Sequence, residues 1–346
     1  MSHGGDRYRN KVRLDFSVNT NPAGVYESVK QALADSIAKA EHYPDQEAQQ
    51  LREDLAKVLG VDPDWIVFGN GASEILMAAV RALRPKKVLL PVPSFSGYQW
   101  AVRAEGAEIE YIPMNEDHQI TADLLDSLSK DADLLFLCNP NNPTGSYIDH
   151  ALLEKILDRC LEKGIGVILD ECFMELSDDP VGNTCMKGLE TWPNMLLLRA
   201  FTKSFAIPGV RLGYMLGMDT ERNAKIRAQL PEWNLSIMAQ EAGVAALKEI
   251  GRLQKSRDEI FAERTRMVQN LTGMGFACTA SNANFILVKS PVKDLYERLL
   301  EKEILIRDCS DYQGLEKGYY RIAVRPKDEN DELIREIREI MNEGSK

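Results

Sequence analysis

The chain has 346 residues and a formal net charge of -11, and 44% of its residues are hydrophobic while 27% are charged. This length predicts two domains, and the composition is typical of a globular protein rather than a disordered one. Acidic residues outnumber basic ones, 53 to 42, and the two signs are interspersed. We therefore expect neither nucleic acid nor an anionic membrane surface as a partner.

Neither the apolar runs nor the cysteines indicate a membrane or metal protein. No run approaches the length of a membrane-spanning helix, and the amino terminus lacks a hydrophobic signal core, so we expect a cytoplasmic protein. The six cysteines and four histidines show no C-x-x-C or H-E-x-x-H spacing. We expect reduced thiols and no metal site.

Short apolar runs alternate with amphipathic segments from about residue 50 to 217, which predicts β-α units in a mostly parallel sheet. The run 65–71 leads through a glycine turn into a predicted helix over 72–83. Further runs without alternation are predicted as strands buried on both faces. They are 87–93, 134–140, 166–170 and 195–200.

The alternation of apolar runs and amphipathic segments changes after a helical stretch from about 222 to 272. Strands are predicted at 285–289, 304–307 and 319–325, and a helix from about 328. The whole pattern predicts a large α/β domain, 31–240, and a smaller α+β domain formed by 1–30 and 241–346.

Ligands of open α/β sheets bind beyond the carboxyl ends of the strands, so reactive side chains there are candidates. The segment 69–73 ends a strand and opens a helix, which offers backbone N–H groups and the Ser73 hydroxyl to an anion. A purely structural glycine turn is the alternative. The segment lacks the lysine of a nucleoside-triphosphate loop.

Three more candidates follow predicted strands. Asp170 ends the strand 166–170, where a buried carboxylate needs a cationic partner unless it caps a helix. Asn142 lies in N-P-N-N-P-T-G, whose prolines hold an amide in a fixed orientation. Most lysines are solvated, but Lys203 lies among apolar residues, where burial would lower its pKa and make the amine a nucleophile.

In this order, the motifs N-G-A-S-E, N-P-N-N-P-T-G, L-D-E and T-K-S-F-A-I-P-G-V-R-L-G-Y resemble the fold type I pyridoxal phosphate enzymes of the aminotransferase class I and II family. The resemblance covers essentially the whole chain. It is greatest to the branch of histidinol-phosphate aminotransferases and L-threonine O-3-phosphate decarboxylases. It implies the fold of pyridoxal-phosphate-dependent transferases, with a mostly parallel sheet between helices, and pyridoxal 5'-phosphate as cofactor.

The resemblance also assigns roles around the cofactor. Lys203 would bond to the cofactor aldehyde and then move protons at the substrate carbon, while Asp170 would pair with the pyridine nitrogen. Asn142 would hydrogen-bond the ring 3' oxygen, and Phe95 would stack on the ring. The cofactor phosphate would be held by Ala72, Ser73, Thr202 and Arg211.

Two positions bear on assembly and on the branch of the family. Tyr43 matches a residue that reaches the neighbouring subunit's site, which implies a homodimer. Phe173 lies in D-E-C-F, where histidinol-phosphate aminotransferases usually have D-E-A-Y. The tyrosine hydroxyl that assists Asn142 is therefore missing, and the decarboxylase branch typically carries phenylalanine there.

Arginines near the carboxyl end indicate an anionic amino substrate. Arg321 and Arg325 are four apart in a predicted strand and would project to one face, with surface ion pairs as the alternative. By resemblance, Arg321 binds a substrate carboxylate or phosphate and Arg307 binds a substrate phosphate. Asn21 and Asn284 resemble residues of segments that line the substrate side.

The leading functional prediction is decarboxylation of L-threonine O-3-phosphate, because the segment 304–325 and the amino-terminal H-G-G and L-D-F-S-V-N-T-N-P resemble that branch. The alternative is transamination of histidinol phosphate or another amino acid with 2-oxoglutarate, since the bond that breaks depends on how the carboxylate is held. A regulatory module and a nucleotide-binding Rossmann protein are disfavoured. The chain shows no basic helix and no G-x-G-x-x-G after a strand.

Overall fold

The computed structural model describes residues 4–128 and 131–343 of the chain. The strands of this part, numbered in chain order, are β1 Leu14–Asp15, β2 Ile66–Asn70, β3 Lys87–Val92, β4 Glu108–Pro113, β5 Leu134–Cys138, β6 Gly166–Asp170, β7 Met195–Ala200, β8 Leu212–Leu216, β9 Ala277–Cys278, β10 Phe285–Lys289, β11 Ile304–Leu305, β12 Arg307–Asp308 and β13 Tyr319–Ala323.

The α-helices of the same residues lie between and around these strands. They are α1 Glu27–Ser36, α2 Gln49–Leu59, α3 Ala72–Leu83, α4 Ser96–Ala104, α5 Leu124–Ser127, α6 His150–Lys163, α7 Pro180–Asn183, α8 Phe201–Ser204, α9 Thr220–Arg227, α10 Ile237–Leu247, α11 Leu253–Gly273, α12 Leu295–Glu301 and α13 Lys327–Glu343. No helix within residues 4–128 and 131–343 is long and apolar enough to cross a membrane.

A large sheet carries the strands in the order β2-β8-β7-β6-β5-β3-β4. Strand β8 runs antiparallel to both of its neighbours, whereas the pairs from β7 to β4 are parallel. Side chains on both faces of this sheet are buried against helices. The α/β fold with a mostly parallel sheet, predicted from the sequence, is confirmed.

A second sheet is antiparallel throughout, in the order β12-β13-β10-β9. Its core includes Phe16 from the amino-terminal segment, Met267 from α11 and Ile337 from α13. Phe16 also accepts a backbone hydrogen bond from Ala323 at 2.9 Å. The amino-terminal segment therefore packs with the carboxyl-terminal elements.

The structure refines several predicted elements. The helical stretch from about 222 to 272 consists of α9, α10 and α11. It is interrupted after α9 because Pro231 cannot continue a helix and Trp233 has a φ of 51°. The predicted domain boundaries stay a prediction. Val29 and Leu247, which lie on the small-domain side of those boundaries, pack in the core against the large sheet.

The predicted strand 319–325 is shorter than expected. It ends at Ala323, and the chain then passes through Pro326 into α13. The backbone N–H of Arg325 donates to Asn330 Oδ1 at 3.0 Å instead of joining the sheet. The prediction that Arg321 and Arg325 project from one strand face is therefore wrong, because Arg325 lies beyond the strand.

Candidate active site

A cavity of about 210 Å³ lies beyond the carboxyl ends of β5, β6 and β7. The last residues of these strands, Cys138, Asp170 and Ala200, all line it. Parallel strands end at a common edge, which is why side chains distant in sequence meet there. Most of the candidate residues named from the sequence line this cavity: Ala72, Ser73, Phe95, Asn142, Asp170, Thr202, Lys203, Arg211, Arg307 and Arg321.

Lys203 lies in the single-turn helix α8, directly after β7. Its Nζ is 5.6 Å from the centre of the Phe173 ring. Burial lowers the pKa of Lys203 to about 8, and the nearby charges of Arg321 and Arg211 act in the same direction. The unprotonated amine, which is the form that can bond to an aldehyde, is therefore more populated near neutral pH than in a solvated lysine.

Asp170 is buried at the end of β6 and is held from two sides. Its Oδ2 accepts a hydrogen bond from the Tyr98 hydroxyl at 2.7 Å, and its Oδ1 accepts the Cys172 N–H at 2.8 Å. Burial raises the pKa of this carboxyl, whereas the hydrogen bonds from Cys172 and Tyr98 and the charge of Lys203 act to lower it. A cationic ring nitrogen would supply the partner that a buried carboxylate needs.

The Arg211 guanidinium lies against the amino terminus of α3. Gly71 has a φ of 79°, and a Cβ at this position would lie 2.2 Å from Arg211 Nη2. A Cβ on Gly213 would lie 2.5 Å from the Ala72 backbone nitrogen, so this glycine lets β8 approach the start of α3. Backbone N–H groups at a helix start, the Ser73 hydroxyl and a guanidinium together suit a phosphate monoester.

Two further arginines that line the cavity have different partners. Arg321 is buried, and it donates from Nη1 to Asn142 Oδ1 and from Nη2 to the Ser17 carbonyl. Arg307 Nη2 donates to both carboxylate oxygens of Asp311, at 2.7 and 3.0 Å. Since Asn142 Oδ1 accepts from Arg321, its amide NH₂ is left to donate elsewhere. This agrees with the expected bond to the ring 3' oxygen.

Phe173 packs at the position where the sequence comparison of motifs leads us to expect tyrosine in histidinol-phosphate aminotransferases and phenylalanine in the decarboxylase branch. Its ring meets Phe285 edge to face with the ring centres 4.9 Å apart. It is buried and lines the cavity. A phenyl ring offers no hydroxyl, so this side chain cannot make the contact near Asn142 that is expected of the tyrosine in histidinol-phosphate aminotransferases.

Four predicted site residues do not line the cavity. Asn21 is held by the backbone beside Lys203, and Asn284 Nδ2 donates to the Thr20 carbonyl at 3.3 Å. Arg325 Nε pairs with Glu329 at 2.9 Å. Tyr43 is 79% exposed and contacts Trp233, with ring centres 4.8 Å apart. Asn21 and Asn284 thus fix loops around the cavity, and Arg325 lies between β13 and α13.

The sequence did not point to several residues that the structure brings to the site. Asn19, Cys172 and Tyr312 line the cavity, and Tyr98 contacts Asp170 from α4. Tyr98 resembles any buried helix residue in the sequence, whereas Asn19 lies two positions before Asn21 in a motif already noted. Gly4 of the H-G-G motif also lines the cavity. His3 of the same motif lies outside the described residues.

Comparisons with known proteins agree with this geometry. The family model described as aminotransferase class I and II matches residues 11–337. The threonine-phosphate decarboxylase of Salmonella typhimurium is 36% identical over 333 residues, which cover 95% of this chain and 91% of that protein. A histidinol-phosphate aminotransferase of Caldanaerobacter subterraneus subsp. tengcongensis is 35% identical over 342 residues, or 96% of this chain and 93% of that protein.

A solved structure shows the same fold. The crystal structure of the histidinol-phosphate aminotransferase from Clostridium acetobutylicum has a TM-score of 0.90 and 31% sequence identity, covering 95% of this chain and 99% of that one. An amine of lowered pKa, a buried carboxylate and a phosphate site in one cavity fit pyridoxal 5'-phosphate. The fold and the site thus define a pyridoxal-phosphate-dependent enzyme.

The chain belongs to the aminotransferase class I and II family. The family, the cofactor and the enzymatic nature predicted from the sequence motifs are confirmed. Relatives named as decarboxylases and relatives named as aminotransferases match at nearly equal identity. The type of reaction therefore has to be argued from the site.

Proposed function

We propose that this enzyme decarboxylates L-threonine O-3-phosphate. The observation that carries the proposal is the presence of Arg307 and Arg321 in the same cavity as Lys203. A substrate with a phosphate and a carboxylate provides one anionic group for each guanidinium. A buried cation without a partner is costly, so two substrate-side arginines favour a substrate with two anionic groups.

Histidinol phosphate is the substrate of the alternative proposal, an aminotransferase. One observation favours it: Asp311 already pairs with Arg307, so that of the two substrate-side arginines only Arg321 lacks a carboxylate partner among residues 4–128 and 131–343. The pairing uses only Nη2 of Arg307, however. Its remaining N–H groups can still bind the second anionic group of L-threonine O-3-phosphate, so the pairing does not exclude decarboxylation.

Lys203, Asp170 and Arg321 have separate roles in the proposed reaction. Pyridoxal phosphate, when bound, supplies the electron sink for the substrate carbon. Lys203 would take up or deliver a proton at that carbon, and its lowered pKa suits this role because part of the amine is unprotonated near neutral pH. Asp170 would pair with the protonated ring nitrogen of the cofactor at the end of β6, and the hydrogen bonds from Tyr98 and Cys172 hold its carboxylate in place. Arg321 orients the substrate carboxylate, which decides the bond to be broken.

The holoenzyme should release carbon dioxide from L-threonine O-3-phosphate in the absence of any 2-oxo acid. The measurement is carbon dioxide release from the carboxyl-labelled compound, run beside glutamate formation from L-histidinol phosphate and 2-oxoglutarate. Glutamate without carbon dioxide release would establish the aminotransferase and exclude the decarboxylase. Activity with neither compound would leave another amine as substrate.

A pair of arginine variants tests the substrate side of this proposal. Arg321→Ala should lower kcat/KM at least about tenfold, because it removes a charged hydrogen-bonding contact to the substrate. Arg325→Ala is the matched control, since this arginine pairs with Glu329 outside the cavity. Its kcat/KM should stay within about threefold of the parent. Equal losses in both variants would contradict the assignment of Arg321.

We also propose that the enzyme is a homodimer. Tyr43 and Trp233 form an aromatic pair on the surface, and they are 79% and 42% exposed. An exposed aromatic pair suits burial against a second copy of the chain. Analytical ultracentrifugation should give twice the chain mass of 38.9 kDa. Trp233→Glu should shift the mass toward the monomer, and a monomeric parent would exclude the dimer.

A cytoplasmic location stays a prediction that cell fractionation would test.

A further inference from the structure

Arg307 and Arg321 lie directly opposite each other in the antiparallel pair of β12 and β13. Like charges at opposite positions of neighbouring strands repel, and both of these arginines are buried. Buried charges need an anionic partner. Within the described ranges, 4–128 and 131–343, only Asp311 forms an ion pair with either guanidinium, and it does so with Arg307. Asp311 is therefore the counter-ion of this pair of cations in the protein without substrate.

The turn that carries Asp311 is held by contacts other than the ion pair. The Tyr312 N–H donates to the Cys309 carbonyl at 3.1 Å, and Arg307 Cζ lies 5.2 Å from the centre of the Tyr312 ring. Neither contact uses the Asp311 side chain. A substitution that removes only the charge of Asp311 should therefore leave the turn and the position of Arg307 in place.

The two members of the ion pair differ in their access to solvent. The side chain of Arg307 is 4% exposed, whereas that of Asp311 is 31% exposed. Asp311 can thus be displaced toward water, while Arg307 stays in the cavity. An anion that reaches Arg307 either displaces the carboxylate or binds beside it. In both cases the carboxylate weakens binding, because it is an attraction to be broken or a like charge at short range.

We propose that Asp311 is a specificity-determining residue that competes with anionic ligands for Arg307. This inference rests on the proposed function, because it takes an anionic group of the substrate to bind there. The weakening applies to every anion, but its consequence depends on how many other contacts the ligand makes. Inorganic phosphate has only the arginines to bind, whereas the substrate also has a second anionic group and an amine. Asp311 therefore keeps free phosphate from occupying the cavity while the substrate still binds.

Phosphate binding to the holoenzyme tests the competition directly, because the cofactor then fills the α3 phosphate site. Asp311→Asn keeps a side-chain oxygen that can accept from Arg307 but removes the charge. At constant ionic strength this variant should bind inorganic phosphate about tenfold more tightly than the parent, since one opposing charge beside the binding guanidinium is lost. The dissociation constants follow from the rise of the melting temperature with phosphate concentration.

Glu329→Gln is the matched control, because it removes one negative charge from an arginine pair outside the cavity, that with Arg325. Its phosphate affinity should stay within about twofold of the parent, since salt screens a charge outside the cavity. An equal gain in both variants would assign the effect to net charge and overturn the proposal. So would an unchanged or weaker affinity in Asp311→Asn, or no phosphate binding in either the parent or this variant. Asp311→Ala repeats the measurement if the asparagine variant does not fold.

Failure of the proposed function can be told apart from failure of this inference, because the phosphate measurement needs no turnover. Carbon dioxide release by a parent whose Asp311→Asn variant gains no phosphate affinity would support the function and contradict the inference. With L-threonine O-3-phosphate, or with L-histidinol phosphate if that is turned over, Asp311→Asn should lower KM about tenfold without raising kcat. A raised KM would show that Asp311 orients Arg307 for the substrate, and would contradict the competition.

Discussion

Lys203→Ala should abolish turnover, with a loss of at least about 10⁴-fold, while the protein keeps its fold. Alanine removes both the amine that bonds to the cofactor and the group that moves the substrate proton. The contacts of the α3 phosphate site do not depend on that amine, so the variant should still bind pyridoxal phosphate weakly. The measurements are kcat, circular dichroism and retention of the cofactor on dialysis.

The lysine can also be identified directly. Borohydride reduction of the holoenzyme followed by peptide mapping should place the cofactor on Lys203. In the apoenzyme, the rate of labelling by pyridoxal phosphate should rise with pH through about 8. Below its pKa the Lys203 amine is mostly protonated, and a protonated amine has no lone pair with which to attack the aldehyde. A label on another lysine would contradict the assignment, and an unfolded Lys203→Ala protein would make the residue structural.

Asp170→Asn should lower kcat by about 10²–10⁴-fold while leaving the cofactor bound. An amide is neutral, so it cannot keep the pyridine nitrogen protonated, and the ring loses much of its capacity to draw electrons from the substrate. Tyr98→Phe is the control, because it removes the hydrogen bond to Oδ2 but keeps the carboxylate. We expect Tyr98→Phe to lose much less activity. An Asp170→Asn enzyme within tenfold of the parent would exclude the ring-nitrogen role.

The sequence predicts the centre of the large sheet well because its strands are buried on both faces and read as unbroken apolar runs, as in β5 and β7. Two strands of the large sheet are harder to predict from the sequence. Strand β4 lies at the edge of the sheet and is only partly buried, so it lacks an apolar run. Strand β8 is apolar, but it follows the Lys203 segment so closely that it is hidden in that motif.

Some site residues, too, can be predicted from the local sequence, whereas others cannot. Lys203 and Asp170 directly follow or end apolar strands, so the sequence itself places them at the sheet edge. Arg325 was assigned to the cavity from a spacing of four, which fails because the strand ends at Ala323. Whether Asn19 or Asn21 lines the cavity depends on contacts with residues more than a hundred positions away, such as Ser204. No local pattern carries that information.

The cavity is lined by four basic side chains, Lys203, Arg211, Arg307 and Arg321, together with Asp170, in a chain whose net charge is -11. An anionic substrate is therefore repelled by the protein as a whole and attracted only at short range. Salt screens interactions beyond about 10 Å at 0.1 M ionic strength. Moderate salt should thus weaken the long-range repulsion more than the contacts inside the cavity, and diffusional encounter with the substrate would become faster as ionic strength approaches that of a cell.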